Sequence, residues 1–101
     1  MLQRKRLELA RALTLQPKLL LLDEIGGGLT EHECQELVAT IRGIHARGTT
    51  IVWIEHIVHA LVSVATRLVV MNSGQILSQG EPHAVMADAR VKEVYMGIPA
   101  A

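Results

Sequence analysis

Two short, uninterrupted apolar runs stand out along the chain. One is the run of leucines in Lys-Leu-Leu-Leu-Leu-Asp at 18–23, and the other is Thr-Thr-Ile-Val-Trp-Ile-Glu at 49–55. Neither run alternates between apolar and polar positions. Continuous apolar runs of this length are typical of strands in a parallel sheet whose two faces are both covered. We therefore predict two such strands, with their polar ends at Asp23 and Glu55.

Apolar residues recur at helical spacing in the segments that flank these runs. Residues 2–15 are rich in Leu, Ala, Arg and Glu, which are strong helix formers, and Pro17 is expected to end that helix. A short apolar helix is predicted for 57–65. The alternation of strands with helices indicates an α/β arrangement.

The helix after the first run has the most specific start signal. Thr30 and Glu33 fit a capping box, in which each side chain accepts a hydrogen bond from the other residue's backbone N–H. Gly48 provides a stop. The apolar face of this predicted helix consists of Cys34, Leu37, Val38, Ile41 and Ile44.

The last third of the chain has a different pattern. Two runs, RLVVMN and QILSQG, flank Ser73-Gly74 and predict a β-hairpin. Two short helices should follow, with Pro82 and Asp88 near their starts. The predicted order, α-β-α-β-α-β-β-α-α, is that of one α/β domain over 1–101 that ends in an antiparallel edge.

Composition narrows the classes of function. Half of the residues are apolar, and ten basic residues balance ten acidic ones. A neutral chain has no overall field to attract nucleic acid or an anionic membrane, so we predict no nucleic-acid partner. No apolar run approaches the ~20 residues that a membrane span needs. The single cysteine, Cys34, is interpreted as a buried structural thiol, and a cytoplasmic location is expected.

Polar residues that could do chemistry follow both apolar runs. Asp23 and Glu24 end the first, and His56 follows the second. Ligands bind at the carboxyl ends of the strands in open α/β sheets, so parallel strands would bring these side chains to one rim. One carboxylate can hold Mg²⁺, and the other can activate a water molecule. An acidic loop and a surface histidine remain the alternative interpretation.

The joint order of these motifs resembles the C-terminal part of an ABC transporter ATP-binding subunit. The matching segments include RLELARAL, PKLLLLDE, GLT, ELVATIR, GTTIVWIEH and RLVVMNSGQILSQGEP. The branched-chain amino acid importer ATPases are the most similar subgroup, through RKRLELARAL and ADARVKEVYMG. The resemblance implies a partial P-loop NTPase fold, with parallel strands and helices followed by a hairpin and two short helices.

The resemblance also implies a role for each matching residue. Asp23 would hold Mg²⁺, Glu24 would be the general base for ATP hydrolysis, and His56 would sense the γ-phosphate. Gly28, Leu29 and Thr30 would form the D-loop that faces a second ATP-binding subunit. The first helix would be the signature helix, whose positive end points at the partner's nucleotide. Transmembrane permease subunits are implied as further partners, at the inner face of the plasma membrane.

One part of a phosphate-transfer site is missing from the sequence. The P-loop motif G-x-x-x-x-G-K-S/T does not occur, and the nearest segment, 43–50, has Thr49 in place of the lysine. Ile25 replaces the proline usual after the glutamate, and Thr30 replaces an acid or amide. We expect the C-terminal portion of a cassette, inactive alone, with ATP and Mg²⁺ bound only alongside the missing half.

Two other functions remain open from the sequence. The chain could be a non-enzymatic assembly or dimerisation module derived from an ABC ATPase, or a P-loop ATPase that works on DNA. The DNA alternative predicts a basic surface, which the neutral charge does not favour. Without its missing half the sheet should expose apolar surface and an unpaired edge, so we expect oligomerisation there.

Overall fold

The structure, a computed structural model, describes residues 2–95 and Gly97. The described residues form two compact units, which meet between residues 64 and 65 of the chain. The elements of the first unit are α1 (Leu2–Leu13), β1 (Leu19–Asp23), α2 (Glu31–Ala46), β2 (Thr50–Ile54) and α3 (Val58–Val64). Those of the second are β3 (Leu68–Asn72), β4 (Gln75–Gly80), α4 (Pro82–Met86) and α5 (Ala89–Tyr95). The predicted elements are all present, most within one residue of the expected bounds.

The first helix ends earlier than predicted. α1 stops at Leu13, four positions before Pro17, and Gln16 adopts a left-handed φ of 50°. Residues that precede proline are driven out of the right-handed helical region by the proline ring. The helix therefore unwinds through a turn, in which the Gln16 N–H donates to the carbonyl of Leu13 over 2.9 Å.

β1 and β2 are parallel, as predicted. Their register pairs Leu20 with Ile51 and Leu22 with Trp53. These side chains face α1 and α2 and join a buried cluster with Leu2, Leu9, Leu37, Ile41 and Ile44. The core of the first unit is thus a single layer of leucine and isoleucine between one face of the sheet and two helices.

The prediction that both faces of this sheet are covered is wrong for this chain. Leu21 is 69% exposed and its register partner Val52 is 48% exposed. Leu19 and Ile54 are also exposed on this face. The helices of the first unit pack against one face of the sheet only. The apolar side chains on the other face are therefore exposed to solvent. We call the surface of Leu19, Leu21, Val52 and Ile54 the open face.

The capping box at the start of α2 is formed as predicted. The Glu33 N–H donates to Thr30 Oγ1 over 3.1 Å, and the Thr30 N–H donates to Glu33 Oε1 over 3.0 Å. The hydrogen bond from the Thr30 backbone lowers the pKa of the Glu33 carboxyl. The cap fixes where α2 begins, and so fixes the length of the loop between β1 and α2.

Thr30→Ala should therefore destabilise the chain by about 1 kcal/mol, the typical cost of losing a side-chain N-cap. Thr30→Ser keeps a hydroxyl acceptor and should retain most of that stability. Urea denaturation followed by circular dichroism measures both variants. Equal losses for alanine and serine would show that the methyl group of Thr30, rather than its hydroxyl, supplies the stability.

The second unit is built on the predicted hairpin. β3 and β4 are antiparallel, with Ser73 and Gly74 in left-handed conformations (φ 51° and 77°) at the turn. Two consecutive positive φ values match the twist of the flanking strands. The Tyr95 hydroxyl donates to the carbonyl of Met71 and ties α5 to the hairpin. Met96, which the pattern placed in the last helix, lies outside the described residues.

The hairpin does not form an antiparallel edge of the parallel sheet. Within the described residues, β1 pairs with β2 and β3 pairs with β4, as two sheets of two strands. The expectation of an antiparallel edge is therefore wrong for the described residues, in which each pair of strands forms its own sheet. No helix in residues 2–95 has the length and apolar character that crossing a bilayer requires.

Candidate functional site

The rim of the parallel sheet brings the predicted site residues together. β1 ends at Asp23, directly beside Ile54 at the end of β2. The Glu24 N–H donates to the carbonyl of Ile54 over 2.7 Å, which extends the ladder by one residue. Both strands therefore end at the same edge of the sheet, and Glu24 and His56 lie there. Asp23, by the alternation of the strand, lies on the side of Leu19 and Leu21.

Glu24 has an unusual backbone. Its φ is 51°, in the left-handed region that a residue with a Cβ rarely occupies. Such a conformation costs of order 1–2 kcal/mol and tends to occur where function requires a sharp change of direction. Here it turns the chain abruptly off the end of β1 and leaves the side chain 62% exposed. The carboxylate is accessible to a ligand at the rim.

His56 lies next to that carboxylate. Its Nδ1 is 4.0 Å from Glu24 Oε1, and its side chain is 69% exposed. The acid and the imidazole are thus close enough to act on one ligand. This proximity follows from the parallel pairing of β1 and β2, since antiparallel strands would have placed the two groups at opposite ends of the sheet.

Glu55 is a site residue that the sequence interpretation did not single out. Its side chain is fully buried, although its backbone reaches the surface. Oε2 accepts a hydrogen bond from the Gly26 N–H over 2.8 Å, and Oε1 accepts one from the His56 N–H over 3.0 Å. The sequence does contain a signal for this burial. Side chains alternate between the two faces of a strand, so Ile51, Trp53 and Glu55 all lie on the covered face of the sheet.

The three predicted D-loop residues have different environments. Leu29 packs against the core cluster of the first unit. Gly28 has a φ of 79°, which a residue without a Cβ adopts at little cost, and it is exposed. Thr30 caps α2 and is also exposed. Gly28 and Thr30 are therefore available to a partner, whereas Leu29 anchors the loop.

The described residues hold no cluster of potential metal ligands around Asp23. No group of three or more His, Cys, Asp or Glu side chains in the described residues is arranged to hold a metal ion. Asp23 fits the role of a single hard oxygen ligand at the rim. Mg²⁺ commonly takes one or two protein carboxylates and completes its shell with water and substrate phosphates. One carboxylate is compatible with a Mg²⁺ site that needs a bound nucleotide.

Cys34 has the features of a structural thiol. It is buried in a small cluster with Val38 and Ala60. Burial, with the negative charges of Glu55 and Glu31, raises the pKa of the thiol. A thiol that stays protonated is a poor nucleophile, so the chemistry of the rim belongs to the carboxylates and the imidazole.

Several known proteins are similar to this chain in sequence and in fold. The LptB lipopolysaccharide export ATP-binding protein of Haemophilus influenzae is 35% identical over 94% of this chain and 39% of its own length. The LivG branched-chain amino acid transport ATP-binding protein of Salmonella typhimurium is 36% identical over 92% of this chain and 37% of its length. No protein-family model matches the chain.

The solved structures that superpose on this chain are of the same class of protein as these relatives. The ADP conformation of MJ1267, an ATP-binding cassette of an ABC transporter, superposes with a TM-score of 0.87 at 31% identity, covering 96% of this chain and 40% of that one. The cbiO1 protein of Clostridium perfringens, part of the transporter complex cbiONQ, gives a TM-score of 0.80 at 27% identity, covering 95% and 40%. The chain thus spans about two fifths of the length of the proteins it matches, and these homologues and structural neighbours are ATP-binding proteins and cassettes of ABC transporters.

Proposed function

We propose that this chain is the C-terminal part of an ATP-hydrolysing subunit of an ABC transporter. The observation that supports the proposal best is the meeting of Glu24 and His56 at the rim where β1 and β2 end, next to Asp23. An acid pair and an imidazole at the carboxyl ends of parallel strands are suited to a phosphoanhydride and the water that attacks it.

Each residue at the rim has a distinct task in this proposal. Glu24 accepts a proton from the water that attacks the γ-phosphate, and its exposed carboxylate can be reached by that water. His56 contacts a γ-phosphate oxygen. Asp23 would hold Mg²⁺, which supplies charge neutralisation when it is bound with ATP. Gly28 and Thr30 face a second ATP-binding subunit.

The open face suggests where the phosphate-binding half packs. Asp23 shares that side of the sheet with Leu19, Leu21, Val52 and Ile54. A partner that covers these side chains would bury apolar surface and bring its own groups next to the Asp23 carboxylate. We infer that the P-loop half occupies this face.

The proposal is tested by supplying that half. The chain is joined, from Leu2 onward, to the P-loop half of the Haemophilus influenzae relative, and ATP hydrolysis is compared with that of the chain alone. We expect steady hydrolysis by the fusion, and neither turnover nor millimolar-range ATP affinity for the chain alone. A folded fusion that binds ATP and Mg²⁺ without hydrolysing ATP would contradict the proposal.

The transported solute is a finer part of the proposal. The resemblance of RKRLELARAL and ADARVKEVYMG, with the match to LivG, favours uptake of branched-chain amino acids. Lipopolysaccharide export is the second candidate, supported by the matches to LptB. Cells that lack LivG should regain leucine uptake when they express the fusion. Interaction of the chain alone, without the half taken from LptB, with the lipopolysaccharide export permease would instead support the second candidate.

The partners follow from the same family. A second ATP-binding subunit and transmembrane permease subunits would complete the transporter, with the cassette on the cytoplasmic side of the membrane.

A non-enzymatic assembly module is the alternative function, and the exposure of the open face favours it when the P-loop half is absent. A gene that continues upstream in frame into a P-loop would support the ATPase.

We predict that the chain alone self-associates through the open face. Leu21→Lys combined with Val52→Lys places two charges at register partners on that face and should shift the protein to a monomer. Leu15→Lys is the control, because Leu15 is 84% exposed and lies outside the sheet. Light scattering at high concentration measures the mass. A monomeric unmodified chain, or an oligomer that survives the double substitution, contradicts the prediction.

A further inference from the structure

Glu55 joins two segments that are far apart in sequence. Gly26 lies in the loop that follows Glu24, and His56 follows β2. The two oxygens of one fully buried carboxylate accept the N–H groups of these two residues, over 2.8 and 3.0 Å. A buried carboxylate without hydrogen-bond partners would be costly, so these two N–H groups stabilise the buried position of the Glu55 side chain. The loop after Glu24 is thereby tied to the backbone of His56.

The space around Gly26 is small, and a side chain there would displace the Glu55 carboxylate. Gly26 is buried, and a Cβ at this position would lie 2.9 Å from Glu55 Oε2 and 3.1 Å from Ile57 Cδ1. Its φ is not left-handed, so a substitution there acts through the space that the new side chain needs and not through the backbone conformation. Gly27 differs, because a Cβ there would meet only the carbonyl oxygen of Glu24, at 3.7 Å. The two adjacent glycines therefore form a matched pair for experiment.

The carboxylates near the imidazole approach the same ring nitrogen. His56 Nδ1 is 3.3 Å from Glu55 Oε1 and 4.0 Å from Glu24 Oε1. Neither ring nitrogen makes a hydrogen bond within the described part of the chain, and Nδ1 is the nitrogen that lies near the two carboxylates. The proton of a neutral imidazole occupies the nitrogen that faces an acceptor, and the other nitrogen is left for a ligand.

We propose that Glu55 is a positioning residue that ties the loop after Glu24 to His56 and holds the proton of the His56 ring on Nδ1. Its function in ATP hydrolysis rests on the proposed function above. A ring with its proton on Nδ1 can donate from Nε2 to a phosphate oxygen only as the imidazolium, whose charge Glu55 and Glu24 would balance. Glu55 itself touches neither the phosphate nor the water.

Nuclear magnetic resonance on the chain alone tests the positioning without any nucleotide. The ring nitrogen spectrum is recorded at alkaline pH, so that the neutral form of the ring is observed. We expect the Nδ1–H form for His56. His32 is the internal control, because its acid partner Glu36 Oε1 lies 3.5 Å from Nε2 and favours the opposite form. An Nε2–H form at His56 in the unmodified chain would overturn the proposal.

Glu55→Gln keeps the shape of the side chain but leaves one acceptor oxygen where two are needed. The His56 ring should move toward the Nε2–H form, and the amide proton of Gly26 or of His56 should exchange with solvent about tenfold faster or more. Gly26→Ala should accelerate exchange at the His56 amide by displacing the carboxylate, whereas Gly27→Ala should change it less than about twofold. An unchanged ring form and unchanged exchange in Glu55→Gln would refute the positioning role.

In the fusion, Glu55→Gln should lower kcat with little change in the KM for ATP, because the ligand-contacting atoms remain but their alignment is lost. If the unmodified fusion fails to hydrolyse ATP, the proposed function fails while the resonance experiments still decide the positioning. If the fusion hydrolyses ATP and Glu55→Gln is as fast, the positioning has no part in the reaction and the proposal is overturned.

Discussion

Glu24→Gln is expected to lower ATP hydrolysis by the fusion at least a hundredfold while ATP binding is retained. Glutamine has the shape of glutamate but cannot take a proton from water, and loss of a general base typically costs about 10²–10⁴ in rate. That range corresponds to about 3–5.5 kcal/mol in the activation free energy. Steady-state kcat and equilibrium ATP binding are measured on the same preparation.

This substitution should separate chemistry from stability. The Glu24 side chain is 62% exposed, so removal of its charge breaks no buried interaction. Glutamine at this position has the same left-handed backbone as glutamate, and the local strain is therefore unchanged. Glu31→Gln is the control, since Glu31 is an exposed acid in the first turn of α2, a few residues further along the chain. A Glu24→Gln fusion that hydrolyses ATP within a few fold of the parent would remove Glu24 from the mechanism.

The sequence predicts most of the local structure because the signals there are short-ranged. The capping box needs only Thr30 and Glu33, three residues apart, and the hairpin turn needs only Ser73 and Gly74. The direction of β2 relative to β1 is also predictable, since a helix connects them and leaves a parallel arrangement as the expected one. All the residues that make these interactions lie within this chain, so the structure matches what the sequence pattern predicts.

The open face could not be predicted from the apolar runs alone. Leu21 and Leu22 are the same residue type in the same strand, yet one is 69% exposed and the other is buried. A continuous leucine run indicates that both faces are suited to burial, but it does not indicate whether this chain contains the cover. The apolar run therefore predicts that both faces are suited to burial, whereas the structure shows which face the helices of this unit cover.

Glu55 was missed for a different reason. Acids at strand ends are usually interpreted as ligands because they face solvent, and Asp23 and Glu24 fit that pattern. The alternation of β2 places Glu55 on the covered side, where a carboxylate must find donors in the protein. Those donors are the backbone N–H groups of Gly26 and His56, and the contact with Gly26 spans 29 residues. A contact at that separation depends on the register of two strands, which no local pattern encodes.

The largest effect on stability is expected for Leu37→Ala. Leu37 is 0% exposed and lies on the face of α2 that packs against Leu20 and Leu22. Truncation of a fully buried leucine typically costs about 2–5 kcal/mol, from the lost apolar burial and the cavity that remains. Small domains are stable by only about 5–15 kcal/mol, so this single change should remove a large share of the free energy of unfolding.

Leu15→Ala is the matched control for that change. It removes the same atoms from a leucine that is 84% exposed, and surface substitutions usually stay within about 0.5 kcal/mol. Urea denaturation of both variants gives the difference directly. A large loss for Leu37→Ala alone would place the stability of the first unit in the layer between its helices and the covered face. Equal, small losses would mean that this layer is not tightly packed, and the rim that positions Glu24 and His56 would then lack a rigid support.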